Sequence, residues 1–263
     1  MPPELYWAAG PPAILAACAL LFLRWGSARA GLDQFRPWIT RVAPALAITA
    51  GYAIGHWGVA GWGPPWAEHA ALWGAAAALG LTMAFGPGAG RARRAVFELL
   101  RLTLCLVLVA CVIRGSEASA WNVALGVILY ALWIVTESSP REEQTYLVPL
   151  AWVISSIGLS ATLQFAGSSM LALLAGALAS ASGGLAAVGL LRRKHVGGAG
   201  GVVSIVYGVL LLNGYFVSEL SAPAAAFLAA SLLASRPHSW LRFVVALVFA
   251  AIAAGISWSP LEY

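Results

Sequence analysis

Between Leu171 and Leu220 the chain reads as two long apolar runs separated by a basic knot, Arg192, Arg193, Lys194 and His195, and a glycine patch at Gly197, Gly198, Gly200 and Gly201. A helix needs roughly 20 apolar residues to cross a hydrocarbon core about 30 Å thick, and both runs have that length. Arginine and lysine in short loops stay on the cytoplasmic side. The knot is therefore placed inside, and the rest of the topology is counted outward from it.

Composition extends this reading to the whole chain. Its 263 residues are 61% hydrophobic and 10% charged, with a mean hydropathy of +0.84, whereas soluble domains carry about 25% charged residues. No water-soluble fold hides that much apolar surface. Ten helices of roughly 20 residues use about 200 positions, so residues 1–263 read as a single integral membrane domain with short connections. The formal net charge is +5 and all but one of the fifteen basic residues are arginine. Nearly all of them fall in loops on one side, which is a topology signal, and nucleic acid is not expected as a partner. Cys18, Cys105 and Cys111 lie inside apolar runs without a CxxC and read as small core residues. Met1 to Tyr6 lacks the basic residues of a signal peptide, and Arg24 and Arg29 come after the first apolar run. The first span is expected to stay in place with its N-terminus outside, and Gly10, Pro11 and Pro12 to distort its first turn.

The expected fold is all-α, a polytopic transmembrane bundle of about ten spans: 7–23, 38–57, 66–85, 95–113, 118–136, 145–166, 169–191, 201–219, 222–234 and 243–258. Arg24, Arg29, Arg36 and Arg41, then Arg91, Arg93 and Arg94, then Arg141 with Glu137, Glu142 and Glu143, and finally Arg236 and Arg242, mark the inside. Arg114, beside Glu117, is the one basic residue placed outside, and Glu262 and Tyr263 leave the C-terminus outside as well. Trp7, Trp57, Trp62, Trp66, Trp121 and Trp258 fall at outer ends, and Trp25, Trp38 and Trp240 at inner ends, as an aromatic belt requires. Residues 222–234 are short for a span and also suit a re-entrant arm. They are counted as spanning because Arg236 and Arg242 then land inside. Five-plus-five halves, 1–138 and 145–263, would be inverted relative to each other. Pro11 and Pro149 match between them, which is too little to establish a repeat.

Spacing indicates which faces meet. Gly51 and Gly55 stand in GxxxG register, and Ala172, Gly176, Ser180 and Gly184 recur every four residues, so each set forms a stripe where another backbone approaches closely. Ala179, Gly183 and Ala187 make a second stripe. Gly183 and Gly184 suit either a centrally packed helix or a hinge. At 100° per residue, Asn122, Gly126, Tyr130, Trp133 and Glu137 share one side of span five. Thr145, Pro149, Trp152, Ser156, Ser160 and Gln164 share one side of span six, and Ser204, Gly208, Tyr215 and Glu219 one side of span eight. Buried polar groups cannot stay unpaired in hydrocarbon. These stripes therefore face other helices, or they line a solute path whose candidates are Asn122, Tyr130, Ser156, Ser160, Gln164, Asn213, Tyr215 and Glu219, with Gln164 and Asn213 the deeper amides.

Within the spans the ionisable candidates are Glu98 and Arg101, spaced i,i+3, with Arg94 four residues before Glu98. This spacing fits an intramembrane ion pair, with a proton or ion site as the alternative. His56 and His69 fall near the outer surface with Glu68, and His195 and His238 near the inner one. They read as interfacial groups rather than metal ligands, and no metal or other cofactor is expected. GxSxG, HExxH and GxxxxGK[ST] are all absent, and the Pro140, Arg141, Glu142, Glu143 string has no histidine nearby. No catalytic residue is assigned, and an enzyme is not the expected class.

Two functional readings follow. In the first the chain is a permease-like protein that moves a small solute through a cavity lined by spans five, six and eight. In the second it is a non-catalytic subunit or scaffold of a larger membrane complex. Its expected partners are the lipid bilayer, a small solute, and other membrane subunits or further copies of itself. The use of arginine over lysine points to a bacterial inner membrane.

Overall fold

The computed structural model describes residues 3–29, 36–64, 69–85, 90–113, 120–137, 148–192, 198–233 and 241–258. Among them the chain is all-helical: α1 (Pro3–Arg29), α2 (Arg36–Ala60), α3 (Ala70–Ala84), α4 (Arg91–Val112), α5 (Ala120–Glu137), α6 (Val148–Phe165), α7 (Ser169–Arg192), α8 (Gly200–Val217), α9 (Ala222–Leu233) and α10 (Leu241–Ser257). Each apolar run holds one helix. In six of them, α1 and α4 to α8, a stretch is long and apolar enough to cross a membrane. Several expectations fall outside the described residues: Arg193 to Gly197 in the basic knot, Trp66 and Glu68, Arg114 and Glu117, Pro140 to Glu143 with Thr145, Arg236 with His238 and Trp240, and Glu262 with Tyr263.

Local chemistry sets the helix ends. Gly167, at φ +83°, closes α6, where its N–H donates to Gln164 O at 3.2 Å and that of Ser168 to Leu163 O at 3.0 Å. This is a glycine-terminated Schellman cap. Glu219 ends α8 in the same left-handed region, at φ 57°. The α1 helix runs through Pro11 and Pro12 without a break. The two prolines remove the N–H groups that the Trp7 and Ala8 carbonyls would accept, and the adjacent Ala9 carbonyl takes a hydrogen bond from the Ser180 hydroxyl of α7. The α9 helix has twelve residues and rises about 18 Å, little more than half of a 30 Å core.

The bundle is organised around α7 and α8. A helix that is apolar all round is buried all round, and α8 is buried at almost every residue from Gly200 to Gly214, lying against α2 to α7 and α9. The α7 helix packs on α1, α2 and α6. A Cβ on Gly184 would run into the backbone of Ala13, and those on Gly51 and Gly55 would strike Pro12, Ala181 and Ala177. Glycine is thus required where α1, α2 and α7 approach backbone to backbone. Gly176 and Gly183 differ, since a Cβ there would meet nothing nearer than 3.8 Å and 4.0 Å respectively. The ends also keep register. Trp7 meets Trp57 edge-on at 5.7 Å, joining the start of α1 to the end of α2, and the Trp38 indole donates to Met83 O at 3.3 Å, joining the start of α2 to the end of α3.

Candidate functional site

The buried face of α4 runs Phe97, Arg101, Cys105, Leu108, Val112, so an arginine stands in line with core residues. A charge placed there must find partners, and α5 supplies them. Tyr130, Trp133 and Glu137, at i, i+3 and i+7, face α4 together. Arg101, only 4% exposed, donates through Nη1 to both Glu98 oxygens at 3.2 and 3.1 Å and through Nη2 to Glu137. Its guanidinium lies 4.8 Å from the Phe97 ring centroid and 4.6 Å from that of Trp133. Tyr130 donates to Glu98 at 3.1 Å, and the Trp133 indole donates to Glu137 at 2.9 Å. Glu98 and Arg101, an i,i+3 pair by sequence, thus belong to a six-residue cluster that ties α4 to α5. The start of α8 seats itself against the same cluster. The Thr136 hydroxyl donates to Gly200 O at 3.1 Å, and any side chain at Gly201 would collide with the Trp133 indole.

The α5 stripe is therefore turned towards α4. Asn122, at its far end, is half-buried. On α8, the Asn213 amide is buried and donates to Val209 O of its own helix at 3.1 Å, and Ser204 likewise bonds Gly201 O at 2.9 Å. Tyr215 borders an apolar cavity. Glu219 is exposed. Gln164 is also exposed, in the last turn of α6, and is not a deep amide. On α6, Ser160 donates to Ala172 O of α7 at 2.7 Å. The candidates on α5, α6 and α8 do not gather in one place: α6 packs against α7 and α10, and α5 against α4 and α8.

A different set, spread over three helices, shares another property. Trp152 Nε1, Ser155 Oγ and Ser156 Oγ on α6, Ser182 Oγ on α7 and Tyr52 OH on α2 are buried without a hydrogen-bond partner among the described residues. Each of the five residues is at most 2% exposed. Ser156 shares a helical face with Val153 and Ser160, the α6 residues that face Gly183 and Gly176, where an added Cβ would make ordinary contact at 4.0 and 3.8 Å. Trp152 and Ser156 stood out in the sequence as a stripe. Tyr52 and Ser182 did not, being single polar residues in apolar runs whose orientation depends on which helices pack together.

His56 and His69 stack with ring centroids 5.2 Å apart, and His56 is fully buried beside Tyr52. Among the described residues no group of three or more His, Cys, Asp or Glu side chains could hold a metal ion. No protein-family model, curated protein or solved structure matches the chain.

Proposed function

We propose that this chain is an integral membrane protein of about ten spans, with both termini outside a bacterial inner membrane, and that it works as a permease for a small uncharged polar solute. The proposed path is the seam between α6 and α7, with α2 behind it. One observation carries the reading: five buried hydroxyl and indole groups on these three helices have no hydrogen-bond partner among the described residues. An unsatisfied buried polar group costs about 1–3 kcal/mol, and a bilayer offers no bulk water to relieve it. A polar guest in the seam would recover that cost. The groups are neutral, which suits an uncharged solute carrying hydroxyl or amide functions. The path keeps α6 from the expected lining and replaces α5 and α8, whose polar side chains largely have partners, with α7 and α2.

Helix adjacency supports a two-halved plan in part. If the halves are α1 to α5 and α6 to α10, two pairs of equivalent helices pack on each other, α2 with α7 and α3 with α8. A pseudo-two-fold axis would produce that arrangement. The packing of α1 on α7 has no substantial counterpart between α6 and α2. Thiol labelling of single cysteines at positions 156 and 182 tests the path. A dry seam would favour the second reading, a non-catalytic subunit of a larger membrane complex.

A further inference from the structure

We infer that a groove formed by α5, α8 and α9 holds one acyl chain of a bilayer phospholipid. The groove encloses about 230 Å³ and is open on one side. Its walls are apolar almost throughout. On α5 they extend from Trp121 to Leu132, eleven residue rises or about 16 Å. That is the depth of one leaflet, half of a hydrocarbon core about 30 Å thick. Small residues of α9, Ala225, Ala226 and Ala229, leave the recess open, while Gly208 on α8 lets Leu129 of α5 pack against it.

Chemistry and placement select the occupant. Two of the three walls, α5 and α8, are helices of membrane-crossing length and apolarity, so the open side faces hydrocarbon. Apolar cavities of this kind stay dry, and one of about 150 Å³ admits a benzene-sized guest. A space half as large again takes a segment of about nine carbons on the same scale. A slot of leaflet depth suits a linear chain better than a compact solute. Trp121 and Tyr215 border the groove towards one end, where amphipathic rings mark the headgroup level. This inference requires only that α5 and α8 lie in a bilayer and does not depend on the solute seam.

The test is photolabelling of the full chain, reconstituted in phosphatidylcholine vesicles whose acyl chains carry a diazirine. Labelling of residues 121–132 and 208–229 is expected to exceed that of the exposed α10 face at Val244, Leu247 and Val248 several-fold. Ala226→Phe, which fills the slot, is expected to remove most of that excess while α10 labelling is unchanged. Ala225→Leu serves if the larger substitution lowers the folded yield. Uniform labelling, or labelling indifferent to the filled slot, overturns the inference. So does efficient disulfide-linked dimer formation from a cysteine at 226, since a second copy of the chain would then cover the groove.

Discussion

The guanidinium of Arg101 is held 4.6 Å from the centroid of the Trp133 ring, and the indole N–H of that ring donates to Glu137, the carboxylate that Arg101 also engages. Ring and carboxylate thus hold one cation from two directions. Removing one member of such a set leaves a buried charge without its partner, which costs about 3–5 kcal/mol.

Arg101→Ala is therefore expected to lower the thermal midpoint of the purified protein strongly, followed by size exclusion after heating. Arg101→Met combined with Glu98→Gln and Glu137→Gln should recover a large part of the loss, because buried ionic groups are often replaceable as a set. Failure of the triple variant to recover would mean that the cluster's charges are needed for more than joining α4 to α5.

The four-residue stripe of α7 should split under substitution. Gly184→Ala drives a methyl into the Ala13 backbone, and overpacking of this kind costs about 1–3 kcal/mol. Gly176→Ala and Gly183→Ala have room and gain up to about 1 kcal/mol of helix propensity. The thermal midpoints should accordingly fall for the first and hold or rise for the other two. Equal loss at all three positions would contradict the packing.

Glu219 is expected to matter for the chain's conformation and not for transport. It is the one non-glycine residue at positive φ among those described, a conformation that costs an L side chain roughly 1–2 kcal/mol. Glu219→Gly should raise the thermal midpoint and leave uptake of any transported solute intact. A loss of uptake would return Glu219 to the solute path.

Much of this architecture was legible in the chain. Ten apolar runs became ten helices, six of them long and apolar enough to cross a membrane, because apolar length and glycine or proline punctuation are local properties of sequence. The single-sidedness of Tyr130, Trp133 and Glu137 was also legible, since it needs only helical periodicity. Their partner was not: Arg101 and Glu137 are 36 residues apart, and spacing within α5 says nothing about which helix it faces. The same limit hid Tyr52 and Ser182. Helices apolar on every side carry no stripe to show which neighbour they meet, and packing in a membrane is decided by close shape and small residues. Gly176 and Gly184 look alike in the sequence, and only the path of α1 separates them. Gln164 shares a helical face with Trp152, Ser156 and Ser160, and periodicity alone does not show that this face is uncovered in the last turn of α6.

The solvation of the α6–α7 seam is the claim to measure first. In a chain with Cys18, Cys105 and Cys111 replaced, single cysteines at Ser156 and Ser182 would be treated in intact cells with a membrane-impermeant thiol reagent. Val206, fully buried in α8, serves as the dry control. A solute path predicts labelling at 156 and 182 and none at 206, with a transported solute slowing the reaction at the first two. Silence at 156 and 182, in a protein that folds and reaches the membrane, would contradict the permease reading and favour that of a membrane subunit.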